Sequence, residues 1–77
     1  MARLKVILFG NLKQLGADKR EIELPEPACV SDVARAAGIP DAAAVLIVVN
    51  SKTALADAEV RDGDEVAFFP RVAGGAA

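Results

Sequence analysis

The chain has 77 residues with nine basic and eleven acidic side chains, a net charge of −2 and a hydrophobic fraction of 53%. That length allows one domain, and the apolar content indicates a folded protein rather than a disordered one. The scattered basic residues argue against a nucleic-acid partner, the single cysteine excludes a disulfide scaffold, and no apolar run approaches the ~20 residues of a membrane helix. We therefore expect a cytoplasmic protein without a nucleic-acid or membrane partner.

The chain begins with a pattern that predicts two paired strands. Residues 3–9 alternate in polarity, which predicts a first strand. Its two faces would be Leu4, Val6 and Leu8 on one side, and Lys5, Ile7 and Phe9 on the other. Residues 10–18 form a loop with room for one helical turn, and residues 19–24 alternate again. Pro25 and Pro27 end this second strand, because proline cannot donate a hydrogen bond to a ladder.

A single helix is predicted after the two prolines. Its apolar stripe, spaced i, i+3, i+4 and i+7, is Val30, Val33, Ala34 and Ala37. Gly38 offers a C-terminal cap, and Pro40 blocks continuation. At the start, Ser31 has good N-cap chemistry, and Asp32 complements the positive end of the helix dipole.

The second half of the chain predicts three more strands. Residues 45–50 form a third strand that turns at residues 50–52, and a weak fourth strand begins near Thr53. The turn signal Asp-Gly-Asp at residues 62–64 precedes a last strand over residues 65–69. This order of elements predicts an α+β domain with one helix on one face of a mixed sheet.

The most specific motif lies at the end of the chain. The run Asp-Gly-Asp-Glu-Val-Ala-Phe-Phe-Pro over residues 62–70 is followed by Arg71, Val72, Ala73, Gly74 and Gly75. This segment resembles the C-terminus of the small subunit of molybdopterin synthase, a family grouped with the thiamine-pathway sulfur carriers among the ubiquitin-like proteins. The resemblance implies a β-grasp domain over residues 1–70, with the first and last strands parallel in the sheet centre, and a flexible tail over residues 71–77. It also places Cys29 at the N-cap of the helix.

The same resemblance implies a sulfur-carrier function for the tail. The carboxyl group of Gly75 would be activated as an acyl-adenylate and converted to a thiocarboxylate, and Gly74 would help it pass a narrow channel. The expected partners are a ubiquitin-activating-type adenylating enzyme, which uses the ATP, and the large subunit of a molybdopterin synthase. The chain itself has no His, no metal-ligand set and no cofactor motif, so we expect no bound cofactor or metal and no autonomous enzyme.

A partner-binding surface is expected beside the tail. Strand alternation places Phe69 on the sheet face away from the helix, with Ile7 and Phe9 on the same side. An exposed apolar patch there would be a partner surface, unless a loop covers it. Pro70 would restrict the start of the arm, and four further residues would contribute to the arm itself. Val72 would fill a side pocket, Arg71 stands where related subunits have a second proline, and Gly74 and Gly75 lead to the end.

Two features leave alternatives open. Ala76 and Ala77 follow Gly75, so a processing peptidase would have to expose its carboxyl group; otherwise the alanines come from cloning, or the chain only binds partners. Cys29 lies where a helix N-terminus can lower a thiol pKa, but without a histidine it is better interpreted as an apolar filler.

Other sulfur acceptors remain open too: thiamine thiazole, a modified tRNA, cysteine or a secondary metabolite. A ubiquitin-like protein modifier or interaction module is the alternative from another class.

Overall fold

The computed structural model describes residues 1–15, 19–40 and 45–70, with the side chains of residues 13–15 excepted. Within these residues there is one α-helix, α1, at Val30–Ala36 and one 3-10 helix at Gly10–Leu15. The strands, in chain order, are β1 Ala2–Leu8, β2 Lys19–Leu24, β3 Ala28–Cys29, β4 Val45–Val49, β5 Lys52–Ala54, β6 Glu59–Val60 and β7 Glu65–Pro70.

Five of these strands form a mixed sheet with the order β2-β1-β7-β4-β5. β1 pairs with β7 in parallel, in a register that sets Lys5 opposite Glu65 and Leu8 opposite Phe68. The other neighbours in the sheet are antiparallel. The predicted parallel pairing of the first and last strands is confirmed, and the fold is the α+β, β-grasp arrangement that the resemblance implied.

The core lies between the sheet and α1. β1 alternates in burial along its whole length, and its apolar side chains Leu4, Val6 and Leu8 are at most 1% exposed. Phe68 of β7 and the helix residues Val30 and Val33 are fully buried in the same cluster. Each such side chain contributes about 1.5–3 kcal/mol when it leaves water. The predicted faces of the first strand and the predicted stripe of the helix are therefore confirmed.

The ends of α1 are capped by nearby side chains and backbone. Cys29 is the N-cap, and its backbone N–H donates to Oδ2 of Asp32 at 3.0 Å. The N-cap that the resemblance implied, Cys29, is therefore confirmed. Ser31, the other candidate by its chemistry, lies in the first turn, with its Oγ 2.9 Å from Cys29 Sγ. Gly38 follows the helix at φ 93°, a left-handed conformation that glycine adopts without strain.

The boundaries of three strands differ from the prediction. The first strand ends at Leu8, so Phe9 lies just beyond it. β4 ends at Val49 because Asn50 turns the chain at φ 50°. The last strand continues one residue further, through Pro70.

Two short strands were not predicted. β3 and β6 form a separate two-stranded sheet, in which Ala28 pairs with Val60 and Cys29 with Glu59. A strand of two residues has no alternation to detect, and its pairing depends on a contact distant in sequence. The small sheet joins the two residues that precede α1 to a segment that precedes β7.

Candidate functional site

The sheet face opposite α1 carries an apolar patch built from three adjacent strands. Its members, called the apolar patch below, are Ile7, Phe9, Leu46, Val48, Ala67 and Phe69. The register explains the grouping, because Ala67 of β7 lies between Ile7 of β1 and Val48 of β4. Phe69 in turn pairs with Leu46, which is 40% exposed. The described part of the chain thus presents a continuous apolar surface rather than scattered apolar residues.

Two phenylalanines form the end of this patch nearest the tail. The rings of Phe9 and Phe69 stack with their centroids 4.3 Å apart and their planes 10° from parallel. They meet because Leu8 and Phe68 are partners in the parallel ladder, and Phe9 N–H donates to the Phe68 carbonyl at 3.0 Å. A depression of about 120 Å³ lies at the rings, lined by Ile7, Phe9, Val48, Ser51, Glu65, Ala67 and Phe69. The pair therefore forms an aromatic edge of a small concavity, which could accept an apolar side chain.

Pro70 ends the last strand at this aromatic edge. It pairs with Val45 of β4 on one side. On the other side it packs against Gly10, where a Cβ would lie 2.7 Å from Pro70 Cγ. The residue from which the tail departs is thus held by two different parts of the fold.

Charged side chains surround the apolar patch on the β1–β2 side. Lys5 lies between Glu21 of β2 and Glu65 of β7 in the sheet register. Further along, Arg3 Nη2 donates to Glu23 Oε2 at 3.0 Å, and this hydrogen bond is the main cause that raises the Arg3 pKa above its usual value. Both side chains are exposed, so the ion pair contributes little to stability. Charge of both signs at this margin suits orientation of a docking partner better than affinity.

The structure brings together three of the residues predicted to bind partners. Phe69, Phe9 and Ile7 share the open face, and Pro70 lies at the tail exit. The remaining predicted site residues lie outside the described residues: Arg71, Val72, Gly74 and Gly75, together with Ala76 and Ala77. Their roles stay predictions.

Two β4 residues of the apolar patch, and the neighbouring Gly10, were not predicted as site residues. Leu46 and Val48 could have been found, because alternation along β4 sets them opposite the buried Val45 and Ile47. Gly10 could not, because its importance depends on a contact with Pro70 far along the chain.

Cys29 belongs to the helix cap rather than to this surface. Its Sγ lies 2.9 Å from Ser31 Oγ and 3.4 Å from Asp32 Oδ2. The hydrogen bond from the Cys29 backbone is the main cause that lowers the Asp32 pKa below its usual value.

Among the described residues, no group of three or more His, Cys, Asp or Glu side chains is arranged to hold a metal ion. Nor does any described helix have the length and apolar character to cross a membrane.

Comparison with known proteins gives the family. The model of the ThiS family matches residues 6–75. The chain belongs to the ThiS family. It is therefore a member of a ubiquitin-like family of small sulfur carriers, and the match runs from β1 through the Gly-Gly pair.

Solved structures agree with this family assignment. A putative molybdopterin converting factor, subunit 1, from Pyrococcus furiosus is 33% identical, with a TM-score of 0.78 over 94% of this chain and 100% of that one. Small archaeal modifier protein 1 of H. volcanii shares the fold at 21% identity, with a TM-score of 0.77 over 94% of this chain and 100% of that one. Molybdopterin-converting factor from Helicobacter pylori, solved as a complex of subunits 1 and 2, matches at 18% identity, with a TM-score of 0.63 over 95% of this chain and 99% of that one. The last two likenesses concern the fold alone.

Proposed function

We propose that this ThiS-family chain carries sulfur as the small subunit of a molybdopterin synthase-type complex. The observation that carries the proposal is the 33% identity to a putative molybdopterin converting factor, subunit 1, over nearly the whole chain. The Gly74-Gly75 pair after the last strand supports it, because a segment without side chains can enter the active site of another protein. Catalytic side chains would then belong to the partners.

The chemistry concerns the carboxyl group of Gly75. A carboxylate is a poor electrophile, because its leaving group would be oxide. Attack of the carboxylate on the α-phosphate of ATP releases pyrophosphate and forms an acyl-adenylate, whose leaving group is AMP. Attack by a sulfide equivalent then forms the carbon–sulfur bond and releases AMP, leaving a thiocarboxylate. This group is a stored nucleophile that can attack the acceptor, a pyranopterin precursor in the proposed reaction. The ATP is bound and used by an adenylating enzyme of the ubiquitin-activating type.

The apolar patch is the proposed docking surface for these partners. Phe9 and Leu46 are 36% and 40% exposed, and both lie next to the site where the tail leaves the sheet. Exposed aromatic side chains in such a position are frequent binding hot spots. The complex of subunits 1 and 2 from Helicobacter pylori supports a large subunit as one partner. The adenylating enzyme would use the same surface at a different time, since both partners must receive the same tail.

The arm after the sheet is proposed to complete the contact. Pro70 restricts the backbone where β7 ends, which lowers the entropy lost when the arm is inserted. Val72 would occupy a side pocket of the partner. Arg71 would add a positive charge at the mouth of the channel, where an acidic partner residue can pair with it.

The proposal is tested by intact mass spectrometry and reconstitution. The chain, purified from its native cell, should end at Gly75 and carry the mass increment of one oxygen replaced by sulfur. Mixed with a large subunit encoded by the same genome, it should convert a pyranopterin precursor to the dithiolene and lose its sulfur. A thiocarboxylate that forms but is not discharged by the large subunit would assign the carrier to another acceptor, such as a thiazole precursor or a tRNA. A ladder of higher-mass conjugates on lysines, without sulfur transfer, would contradict the proposal and identify a protein modifier.

A further inference from the structure

Gly10 contacts the residue from which the C-terminal arm departs. Its φ is +60°, and a Cβ at this position would lie 2.7 Å from Pro70 Cγ and 3.1 Å from Cδ. Carbon atoms in ordinary contact are about 3.5–4.0 Å apart, so any side chain at position 10 would have to displace the proline ring or the loop. The absence of a side chain at Gly10 is therefore what allows Pro70 to lie against the start of the 3-10 helix.

The neighbours of this contact leave Pro70 few ways to move. On one side, the ladder continues past Leu8 through the hydrogen bond from Phe9 N–H to the Phe68 carbonyl at 3.0 Å. The stacked ring of Phe9 then covers Phe69. On the other side, Val45 of β4 is the register partner of Pro70. Displacement of the ring by a new side chain would therefore rotate the chain at its exit rather than open the whole strand.

We propose that Gly10 is a positioning residue that sets the direction in which the C-terminal arm leaves the sheet. This inference rests on the proposed function, because it assigns a role only if the arm must reach a partner's active site. Gly75 is the fifth residue after Pro70, so the arm spans at most about 18 Å when fully extended. With so short an arm anchored beside the docking surface, a shift at its base moves the reacting carboxyl group. Misplacement of a reacting group by about 1 Å can lower a rate by about 100-fold.

The test compares Gly10→Ala with a matched control, Gly63→Ala. Both glycines have a left-handed φ, +60° and +90°, so alanine introduces the same kind of backbone strain at both positions. Only Gly10 has a neighbour, since a Cβ at Gly63 would meet nothing within 4 Å. Adenylation is measured with the cognate adenylating enzyme, using whichever form of the wild-type chain the enzyme activates, full length or ending at Gly75. We expect kcat to fall by about tenfold or more for Gly10→Ala, with KM changed less than about twofold, and no kcat change for Gly63→Ala.

A second substitution distinguishes a changed direction of the arm from a general disturbance of the fold. Pro70→Ala removes the Cγ and Cδ atoms with which the new Cβ would collide. The double variant Gly10→Ala/Pro70→Ala should therefore have a kcat within about twofold of Pro70→Ala alone, because the two effects share one cause. Additive losses, equal losses for Gly10→Ala and Gly63→Ala, or a raised KM with unchanged kcat would each overturn the proposal. The last result would indicate damage to the adjacent Phe9 and its patch.

A readout without any enzyme measures the direction of the arm itself. A nitroxide label is attached at Lys19→Cys, an exposed position of β2, in a chain whose native cysteine is changed by Cys29→Ser. Paramagnetic broadening of the amide signals of residues 71–75 then reports where the arm points. Gly10→Ala should change this profile relative to the wild type, whereas Gly63→Ala should not. The double variant should give the same profile as Pro70→Ala alone. If no adenylating enzyme activates the wild-type chain, the proposed function is wrong, and this profile alone decides whether Gly10 aims the arm; an unchanged profile would overturn the inference on its own.

Discussion

Phe69 is a half-buried side chain of the sheet and the central aromatic residue of the proposed docking surface. Its ring is half-buried, and one face is covered by Phe9 at a centroid distance of 4.3 Å. Its neighbour in sequence, Phe68, points to the other side of the sheet and is fully buried against α1. Two adjacent phenylalanines therefore lie on opposite faces of the sheet, as the alternation of a strand requires.

Replacing Phe69 by alanine should separate binding from stability. We expect the variant to bind the adenylating enzyme or the large subunit more weakly by about 2 kcal/mol or more, as truncation of a hot-spot aromatic does. The free energy of unfolding should fall by only about 1–2 kcal/mol, because the ring is half-buried and its stacking adds about 1 kcal/mol to the loss of burial. Titration calorimetry with the partner and urea unfolding of the free chain measure the two quantities.

Two control variants give the expected results for a core residue and for a surface residue outside the patch. Phe68→Ala truncates a ring in the core and should cost about 3–5 kcal/mol of stability. Leu55→Ala truncates a side chain that is 75% exposed and outside the apolar patch, so neither binding nor stability should change. If Phe69→Ala were as unstable as Phe68→Ala, Phe69 would be a core residue and the docking surface would have to be placed elsewhere.

Among the elements, α1 is stabilised by contacts outside its own backbone. It has seven residues, and isolated helices of that length are not stable in water. Its apolar stripe packs on the sheet, and its N-terminus is closed by the Asp32 carboxylate, which accepts a hydrogen bond from the Cys29 backbone N–H at 3.0 Å. This hydrogen bond favours the charged carboxylate and is the first cause of its lowered pKa; Cys29 Sγ and Arg35 add to it.

The lowered pKa of Asp32 predicts a pH dependence of stability. Because the folded pKa lies below the usual 3.8, the unfolded chain binds this proton more readily than the folded chain does. The contribution of Asp32 is therefore fully present above the unfolded pKa and is lost as pH falls through the folded pKa. Asp32→Asn should lower the thermal midpoint at neutral pH, and its difference from the wild type should shrink as the pH is lowered below 3.8.

A matched variant controls for surface charge. Asp57→Asn removes an exposed carboxylate from the loop before β6 and reports the effect of one lost negative charge. A difference between Asp32→Asn and wild type that persists unchanged in acid would contradict the role of the charged cap.

The elements also show which parts of the structure the sequence could predict. Alternation in residues 3–9 and the helical spacing from Val30 to Ala37 each reflect burial of one face, so they predicted β1 and α1 with their correct orientation. The helix cap was harder to predict, because both Ser31 and Cys29 can act as an N-cap. The pairing of Cys29 with Glu59 in the small sheet keeps Cys29 extended, so the helix begins after it. The contact between Gly10 and Pro70 was beyond reach, since no local pattern encodes the meeting of two distant backbone segments.

For the molecule as a whole, the decisive question is the state of its C-terminus. The ThiS match ends at Gly75, and Ala76 and Ala77 follow it. The carboxyl carbon of Gly75 is part of a peptide bond in the encoded chain, and an amide cannot be adenylated as a carboxylate can. We therefore propose that the chain is a precursor that a peptidase trims.

The precursor proposal predicts a difference between two chain lengths. A chain ending at Gly75 should form the acyl-adenylate with the cognate adenylating enzyme, whereas the full-length chain should form none until its two alanines are removed. Pyrophosphate release measures activation, and intact mass before and after the reaction reports trimming. A chain ending at Ala76 is the matched control, since it has a free carboxylate at the wrong position. Equal activation of the full-length chain with its alanines retained would disprove the requirement for processing.

The place of β7 in the sheet has a consequence for folding. β7 is the last strand of the described sheet in chain order, yet it lies between β1 and β4. Until β7 is in place, β1 and β2 can pair only as an isolated hairpin, which is marginally stable in water. The two halves of the sheet are therefore joined by the strand that leads directly into the Gly-Gly segment, so a change that disturbs this strand affects the cohesion of the fold and the base of the tail together.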